Sequence, residues 1–319
     1  MQNADYIMDT PMVGLPKGEW LETLATASDV LGFFEPLGRR HYASFADLND
    51  TLLVTFENIQ GIQALSENGH PLGWDLVREH GWSHLCLACD GDTWYRDPDV
   101  YEFFDMLVDD CFFDAYDHVI FYGAGPCAYA AAAFSVSAPG ATVLAVQPQA
   151  TLTPAIAGWD DRFTERRRLN FTDRYGYAPD MLDAARNAFV IFDPFQHLDA
   201  MHAALFTRPN VTKLRMPHMG AALQGSLIAM EIFAPLMALA GRGELNLLSF
   251  ARLYRARRDY RPYLRFLMSI LERDGRDELA IQLCDNVTDR MNAPLFRQRL
   301  KTLRDNRPRR HSENEPYDG

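Results

Sequence analysis

HVIFYGAGPCAYAAAAFSV, residues His118 to Val136, reads as a strand, a tight turn and a helix. His118 to Tyr122 is a short β-branched and aromatic run, Gly123 and Gly125 supply the turn, and Tyr129 to Phe134 opens an alanine-rich helix. Such turns lie at strand carboxyl ends, where α/β proteins place their chemistry. Two machines share this grammar. One is the G-x-S-x-G elbow, which holds a nucleophile at the tip of the turn. The other is the dinucleotide fingerprint G-x-G-x-x-[GA], which Gly123, Gly125 and Ala128 match.

Outward from this stretch, short apolar runs recur between helical segments. His41 to Phe45 reads as an edge strand, followed by strands at Thr51 to Glu57, His84 to Cys89, Thr142 to Val146, Ala188 to Phe192 and Val211 to Leu214. Between them, Asp99 to Leu107 carries Val100, Phe103, Phe104 and Leu107 at helical spacing. The alternation predicts an α/β fold with a doubly wound, mainly parallel sheet over residues 39–243. Residues 1–38, with Pro11, Pro16 and Pro36 around one helix at Gly18 to Leu31, read as a lead-in. Residues 244–304 read as a C-terminal helical extension, and 305–319, almost without apolar residues, as a disordered tail.

The 319 residues carry a formal net charge of -12, which argues against nucleic acid or an anionic membrane as a partner. No apolar run reaches the roughly 18 residues of a membrane span, and a cytoplasmic location is expected. The five cysteines (Cys86, Cys89, Cys111, Cys127 and Cys284) read as reduced thiols. Cys86 and Cys89 sit in one predicted strand, where their odd spacing sends them to opposite faces, so they cannot share a metal. No metal and no cofactor is expected.

The dinucleotide reading requires an acid about 20 residues beyond the glycines, and Gln147 stands there. The elbow reading gains from its surroundings. YGAGPCAYAA resembles the elbow of an α/β-hydrolase family whose members read Y-G-x-S-M-G-G-Y-A-A, and VLAVQPQATLTP resembles that family's strand ending in S-P-Q. The resemblance runs from Thr51 to Leu239 and implies an α/β-hydrolase-like fold. In its register Gly125 takes the nucleophile position and Cys127 the place of a glycine. Glycine gives a relaxed turn without an attacking atom. The resemblance further places the triad acid at Asp199 or Asp193 and the histidine at Ala221, with His218 three positions earlier. It makes Asp92, Trp94, Tyr95 and Arg96 pocket walls beside Gly123 and Gly125.

These substitutions lead to a hydrolase-like pseudoenzyme that serves as a binding or scaffolding module for a small molecule or protein, the helical extension being a possible protein contact. The enzymatic alternative is a thiol acyl transferase or hydrolase using Cys127 with His218 and Asp193 or Asp199. Against it, Cys127 also reads as a small buried residue of the first helical turn, Asp199 as a helix cap and Asp193 as a turn residue. A third reading is nucleotide-dependent oxidoreductase chemistry. Some chains resembling this one are labelled phosphoadenosine phosphosulfate reductase, a family with S-G-G-x-D-S and E-C-G-x-H motifs. Neither occurs here, and the only late cysteine is Cys284 in QLCDN.

Overall fold

A computed structural model of the chain describes residues 10–305. Eight strands form one sheet: β1 (Gly32–Leu37), β2 (His41–Ala46), β3 (Thr51–Asn58), β4 (Ser83–Cys89), β5 (His118–Ala124), β6 (Thr142–Val146), β7 (Asn187–Phe192) and β8 (Val211–Arg215). Their order is β1-β2-β4-β3-β5-β6-β7-β8. β2 runs antiparallel to both β1 and β4, and every pairing from β4·β3 to β7·β8 is parallel. β5 therefore lies in the middle of the sheet, flanked by β3 and β6. All seven residues of β4 are buried, as expected of a parallel-sheet strand covered on both faces.

The sheet edge differs from the sequence expectation. β2 is paired on both sides, and the edge is β1, from the stretch that read as a lead-in. GFFEPL hides its strand character behind Pro36, which an edge strand tolerates because one side of its backbone needs no partner. The preceding helix α1 (Lys17–Leu31) buries Trp20 and Leu24 completely, so this segment is part of the domain core.

The longer helices of this unit are α2 (Ile59–Leu65), α3 (Gly73–His80), α4 (Pro98–Asp109), α5 (Pro126–Phe134), α6 (His197–Leu205), α7 (Leu223–Ala229), α8 (Phe233–Gly241) and α9 (Leu247–Leu253), with single turns at Pro154–Ala157 and Ala178–Met181. α5 is buried all round from Cys127 to Phe134. Its alanines let it press onto the sheet, where Phe56, Phe104, Phe121 and Phe134 fill the space beside it; the rings of Phe104 and Phe134 stack at 4.5 Å. On the opposite face Trp20, Leu24, Ile59, Trp74, Cys86 and Ala88 form a second core.

The chain divides into two compact units, Met1–Arg255 and Ala256–Gly319. The division falls beyond Gly243 because α9 belongs with the first unit: Phe250 and Tyr254 are buried, and the Tyr254 hydroxyl donates to Pro217 O at 3.4 Å. In the second unit α10 (Arg261–Arg273), α11 (Asp277–Arg290) and α12 (Pro294–Asp305) enclose their own core of Leu264, Met268, Ala280, Cys284, Val287 and Phe296. Residues 306–319, most of the stretch read as a tail, lie outside the described residues. Among the described residues no single helix is long and apolar enough to cross a membrane.

Burial lowers the pKa of three histidines in the first unit. Burial pushes His84 down to about 3 and His41 to about 4, the latter despite the opposing charge of Asp97. His202 is lowered by burial against the pull of Asp160. In the unfolded chain each returns to about 6.5, so unfolding takes up protons below that pH, and each group costs up to about 1.4 kcal/mol per pH unit. Asp160, held low by Arg162 against its burial, acts in the same direction at lower pH, and Glu57, raised by burial, opposes it. Stability is therefore expected to be level from about pH 7.5 to 7 and to fall between pH 6.5 and 4.5. Urea midpoints measured across this range test it, and an unchanged midpoint at pH 5 would contradict the burial of neutral imidazoles.

Candidate functional site

The turn between β5 and α5 follows from three residues. Gly123 closes the strand against the helix: a Cβ built there would lie 2.2 Å from Cys127 O and 2.8 Å from Ala128 N, both backbone atoms. Gly125 occupies the apex with φ 59 and ψ -125, a conformation in which side-chain-bearing residues are strained. A Cβ on Gly125 would meet nothing within 4 Å, so the apex faces open space. Its N–H donates to Val146 O at 2.8 Å, and its carbonyl accepts from Ala128 and Tyr129, starting the helix. This is the backbone of a nucleophile elbow. The chain has the α/β-hydrolase fold.

Pro126 follows the apex, and its role escaped the reading of the sequence. In this fold the N–H of the residue after the nucleophile is one of two donors to the oxyanion. Proline has none. Proline is also well suited to the first helical position, so the same residue that starts α5 removes the donor. The signal was present in the letters G-P at the apex, but only the register of the turn assigns it.

Cys127 lies on the first turn of α5, 7% exposed, with its Sγ 4.0 Å from the Tyr95 hydroxyl. The neighbouring Cys89 thiol together with burial pushes the Cys127 thiol well above its usual range. Cys127 in turn lowers Cys89, against its own burial. Cys127 is accordingly a protonated thiol, and the more acidic member of the pair is Cys89. No histidine is among the groups that hydrogen-bond either sulfur.

Asp193, directly after β7, is fully buried and spends its carboxylate on the backbone. Oδ1 accepts from Phe195 N at 2.9 Å and His218 N at 3.1 Å, and Oδ2 accepts from Gly220 N at 2.8 Å. It thus ties the loop after β7 to the loop after β8. His218 has φ 62 and stacks on Phe195 at 3.8 Å, with a buried Nδ1 that has no partner among the described residues. Asp199 does not cap α6, whose N-cap is Gln196 without a side-chain bond. Instead it pairs with Arg162 Nη1 at 2.6 Å and accepts from Gln147 Nε2 at 2.7 Å. Arg162 also pairs with Asp160, which in turn meets His202 Nε2 at 3.0 Å. Gln147, held at φ 54, accepts from Leu223 N at 3.0 Å. The acid candidates therefore hold backbone and counter-charges, and neither meets Cys127 or the His218 ring.

A cavity of about 220 Å³ opens over the elbow, lined by Ala124, Pro126 and Cys127 from the turn, and by Cys89, Asp92, Trp94 and Tyr95 after β4. The end of β3 adds Glu57 and Asn58, α2 adds Ile62 and Leu65, the segment after it adds His70 and Leu72, and Gln224 comes from α7. Three of the expected walls, Asp92, Trp94 and Tyr95, are in place. Trp94 and Tyr95 are fully buried at positive φ (50 and 54). The Trp94 indole donates to Gln149 Oε1 at 3.1 Å, and the Tyr95 hydroxyl lies 2.6 Å from Leu87 O and 2.9 Å from Glu57 O. Arg96 points away from the cavity. It donates to Asn170 O and Arg174 O and pairs with Asp173, fastening the 170–175 loop. Gly123, Gly125, Asp193, Asp199 and His218 do not line the cavity.

No family model and no curated protein matches the sequence. Solved structures with a similar fold include one described as the Glycosylation Associate Protein (Gap123) complex from Streptococcus agalactiae, 11% identical over 65% of this chain and 45% of that one, TM-score 0.44. Est1E from Butyrivibrio proteoclasticus is 12% identical over 65% and 97% of the two chains, TM-score 0.43. A hyperthermophilic esterase from Pyrobaculum calidifontis is 14% identical over 80% and 96%, TM-score 0.38.

The two glycines of the turn fail in different ways when given a side chain. Gly123→Ala drives a Cβ into backbone and should cost about 3 kcal/mol or more. Gly125→Ala meets open space and should cost only the conformational penalty, about 1 to 3 kcal/mol. Chemical denaturation of the two variants checks the order, and Gly125→Ala being the more damaging would contradict the elbow geometry.

Proposed function

We propose that this chain is a hydrolase-fold binding protein without serine-hydrolase chemistry, taking a small ligand in the cavity over the elbow. The observation that carries the reading is the pair Gly125 and Pro126: an apex with no attacking atom, followed by a residue with no N–H to stabilise an oxyanion. Nucleophile, base and orienter act as a unit in acyl transfer. The loss is therefore compounded by the engagement of Asp193 and Asp199 elsewhere.

The cavity wall supports a ligand class. Phe56, Ile62, Leu65, Leu72, Trp94 and Tyr95 make it largely apolar, and Asn58, His70 and Gln224 offer hydrogen bonds. Its charged residues are Glu57 and Asp92, with no lysine or arginine among the described lining residues. Such a wall favours a neutral or cationic small molecule and disfavours phosphoadenosine phosphosulfate or a dinucleotide, whose anionic groups need cations or free helix N–H groups.

A second reading keeps chemistry in the same cavity. Cys89 and Cys127 both line it, and the Cys89 thiol, lowered by the neighbouring Cys127, is favoured over Cys127 as the attacking sulfur of a thiol enzyme. Activity-based labelling separates the two. The binding-protein reading expects no labelling by a fluorophosphonate probe in the wild type or in Gly125→Ser, and no burst with a p-nitrophenyl ester. It also expects thermal stabilisation by members of a neutral or cationic compound library, lost when Leu65→Arg fills the cavity. An ester burst abolished by Cys89→Ser would replace it with the thiol reading. Fluorophosphonate labelling of the wild type would refute both.

A further inference from the structure

We propose that Glu57, His84 and Cys86 form a binding site for one divalent transition-metal ion of the zinc class, on the sheet face opposite α5. This inference is independent of the function proposed above. Strand alternation brings the three together: Phe56 of β3 and Leu85 and Leu87 of β4 face the α5 side, which sends Thr55, Glu57, His84 and Cys86 to the other. Thr55 sits opposite Cys86 in register, and Glu57 opposite Ala88. One ligand atom from each of Glu57, His84 and Cys86 lies within 4.8 Å of the others, and all three residues are buried. Cys86 Sγ is 3.8 Å from Glu57 Oε1. Zinc bonds of about 2.0 to 2.3 Å place tetrahedral ligands roughly 3.2 to 3.8 Å apart, so a small contraction closes the set.

Charge decides which ion suits so buried a place. A carboxylate, a thiolate and a neutral imidazole around a divalent cation sum to zero, which avoids leaving a net charge in the interior. A thiol enters a metal's coordination shell as the thiolate. Binding therefore exchanges the S–H bond for a sulfur–metal bond and releases that proton to solvent, together with the proton of any Glu57 that is protonated.

Neighbouring groups are arranged to orient the ligands. Glu57 accepts from the Thr55 hydroxyl at 2.7 Å and from Leu72 N at 2.8 Å, and the Thr55 hydroxyl lies 2.8 Å from His84 Nε2. Gly73 leaves room for the imidazole, since a Cβ there would lie 2.1 Å from His84 Nε2. Tyr122, opposite Thr55 on β5 and on the same face, is 1% exposed, and its hydroxyl has no partner among the described residues. A buried hydroxyl without a partner calls for a ligand or water beside it, and Glu57 acts electrostatically on this one. Glu57 also lines the cavity over the elbow.

Titration of the chelator-stripped, full-length protein with cobalt(II) chloride and then zinc chloride tests the site. One equivalent of cobalt should bind and produce the intense near-ultraviolet band of a thiolate ligand with the visible bands of tetrahedral cobalt, and zinc should displace it. Cys86→Ser should abolish the near-ultraviolet band and weaken binding by about tenfold or more. Cys89→Ala and Cys127→Ala should leave both unchanged. Absence of cobalt or zinc binding by the wild type would overturn the proposal without any variant having to fold. So would a thiolate band that survives Cys86→Ser or disappears in Cys89→Ala.

Discussion

The contact on which this structure turns is the approach of Gly123 to the backbone of α5. With a Cβ at Gly123 the strand and helix would collide at 2.2 Å, so the junction admits glycine alone. Once strand and helix meet that closely, the residues along the seam must be small, which is why α5 runs through Ala130, Ala131, Ala132 and Ala133 before Phe134 closes against Phe104. The apex is then forced out of the sheet, and Gly125 adopts φ 59 without the penalty a serine would carry. Scaffold and chemistry are separable here: the packing constraint holds Gly123, whereas nothing in the packing demands a hydroxyl at position 125.

The positions that would complete a triad have been drawn into structural work of the same economy. Asp193 accepts from three backbone N–H groups in the loops after β7 and β8. Asp199 and Asp160 share Arg162, and His202 closes the chain on Asp160. Each charge in this network has a counter-charge and hydrogen bonds, so removing one member would strand the rest.

The strands were legible because each is a short β-branched or aromatic run between turn residues, and the parallel sheet followed from their alternation with helices. Gly125 at the apex was legible for the same reason, since the motif fixes the register of the turn. Less was legible where a residue's role depends on a partner distant in sequence. β1 was masked by Pro36, which is compatible with a strand only at a sheet edge. Asp199 read as a helix cap because a cap is a local property, whereas Arg162 lies 37 residues away. Arg96 read as a pocket wall on the strength of its neighbours Trp94 and Tyr95, yet their left-handed backbone turns it toward the 170–175 loop. The consequence of Pro126 was not legible, because the donor it removes exists only in the folded turn.

The two faces of the central strands divide the remaining polar groups in a way that single-sequence spacing half reveals. Cys86 and Cys89 point to opposite sides, as period-two alternation requires, and each finds different company: Cys86 meets Glu57, and Cys89 meets Cys127. Glu57 is the residue that connects the two environments. Its carboxylate receives the Thr55 hydroxyl and the Leu72 N–H on the far face, while its carbonyl accepts from Tyr95 at the cavity. An acidic residue at the carboxyl end of a central strand is costly to bury, and burial raises its pKa. Its cost is offset by the donors gathered around it. The floor of the cavity and the polar nest behind it are thus mechanically one piece, joined through a single residue at the end of β3.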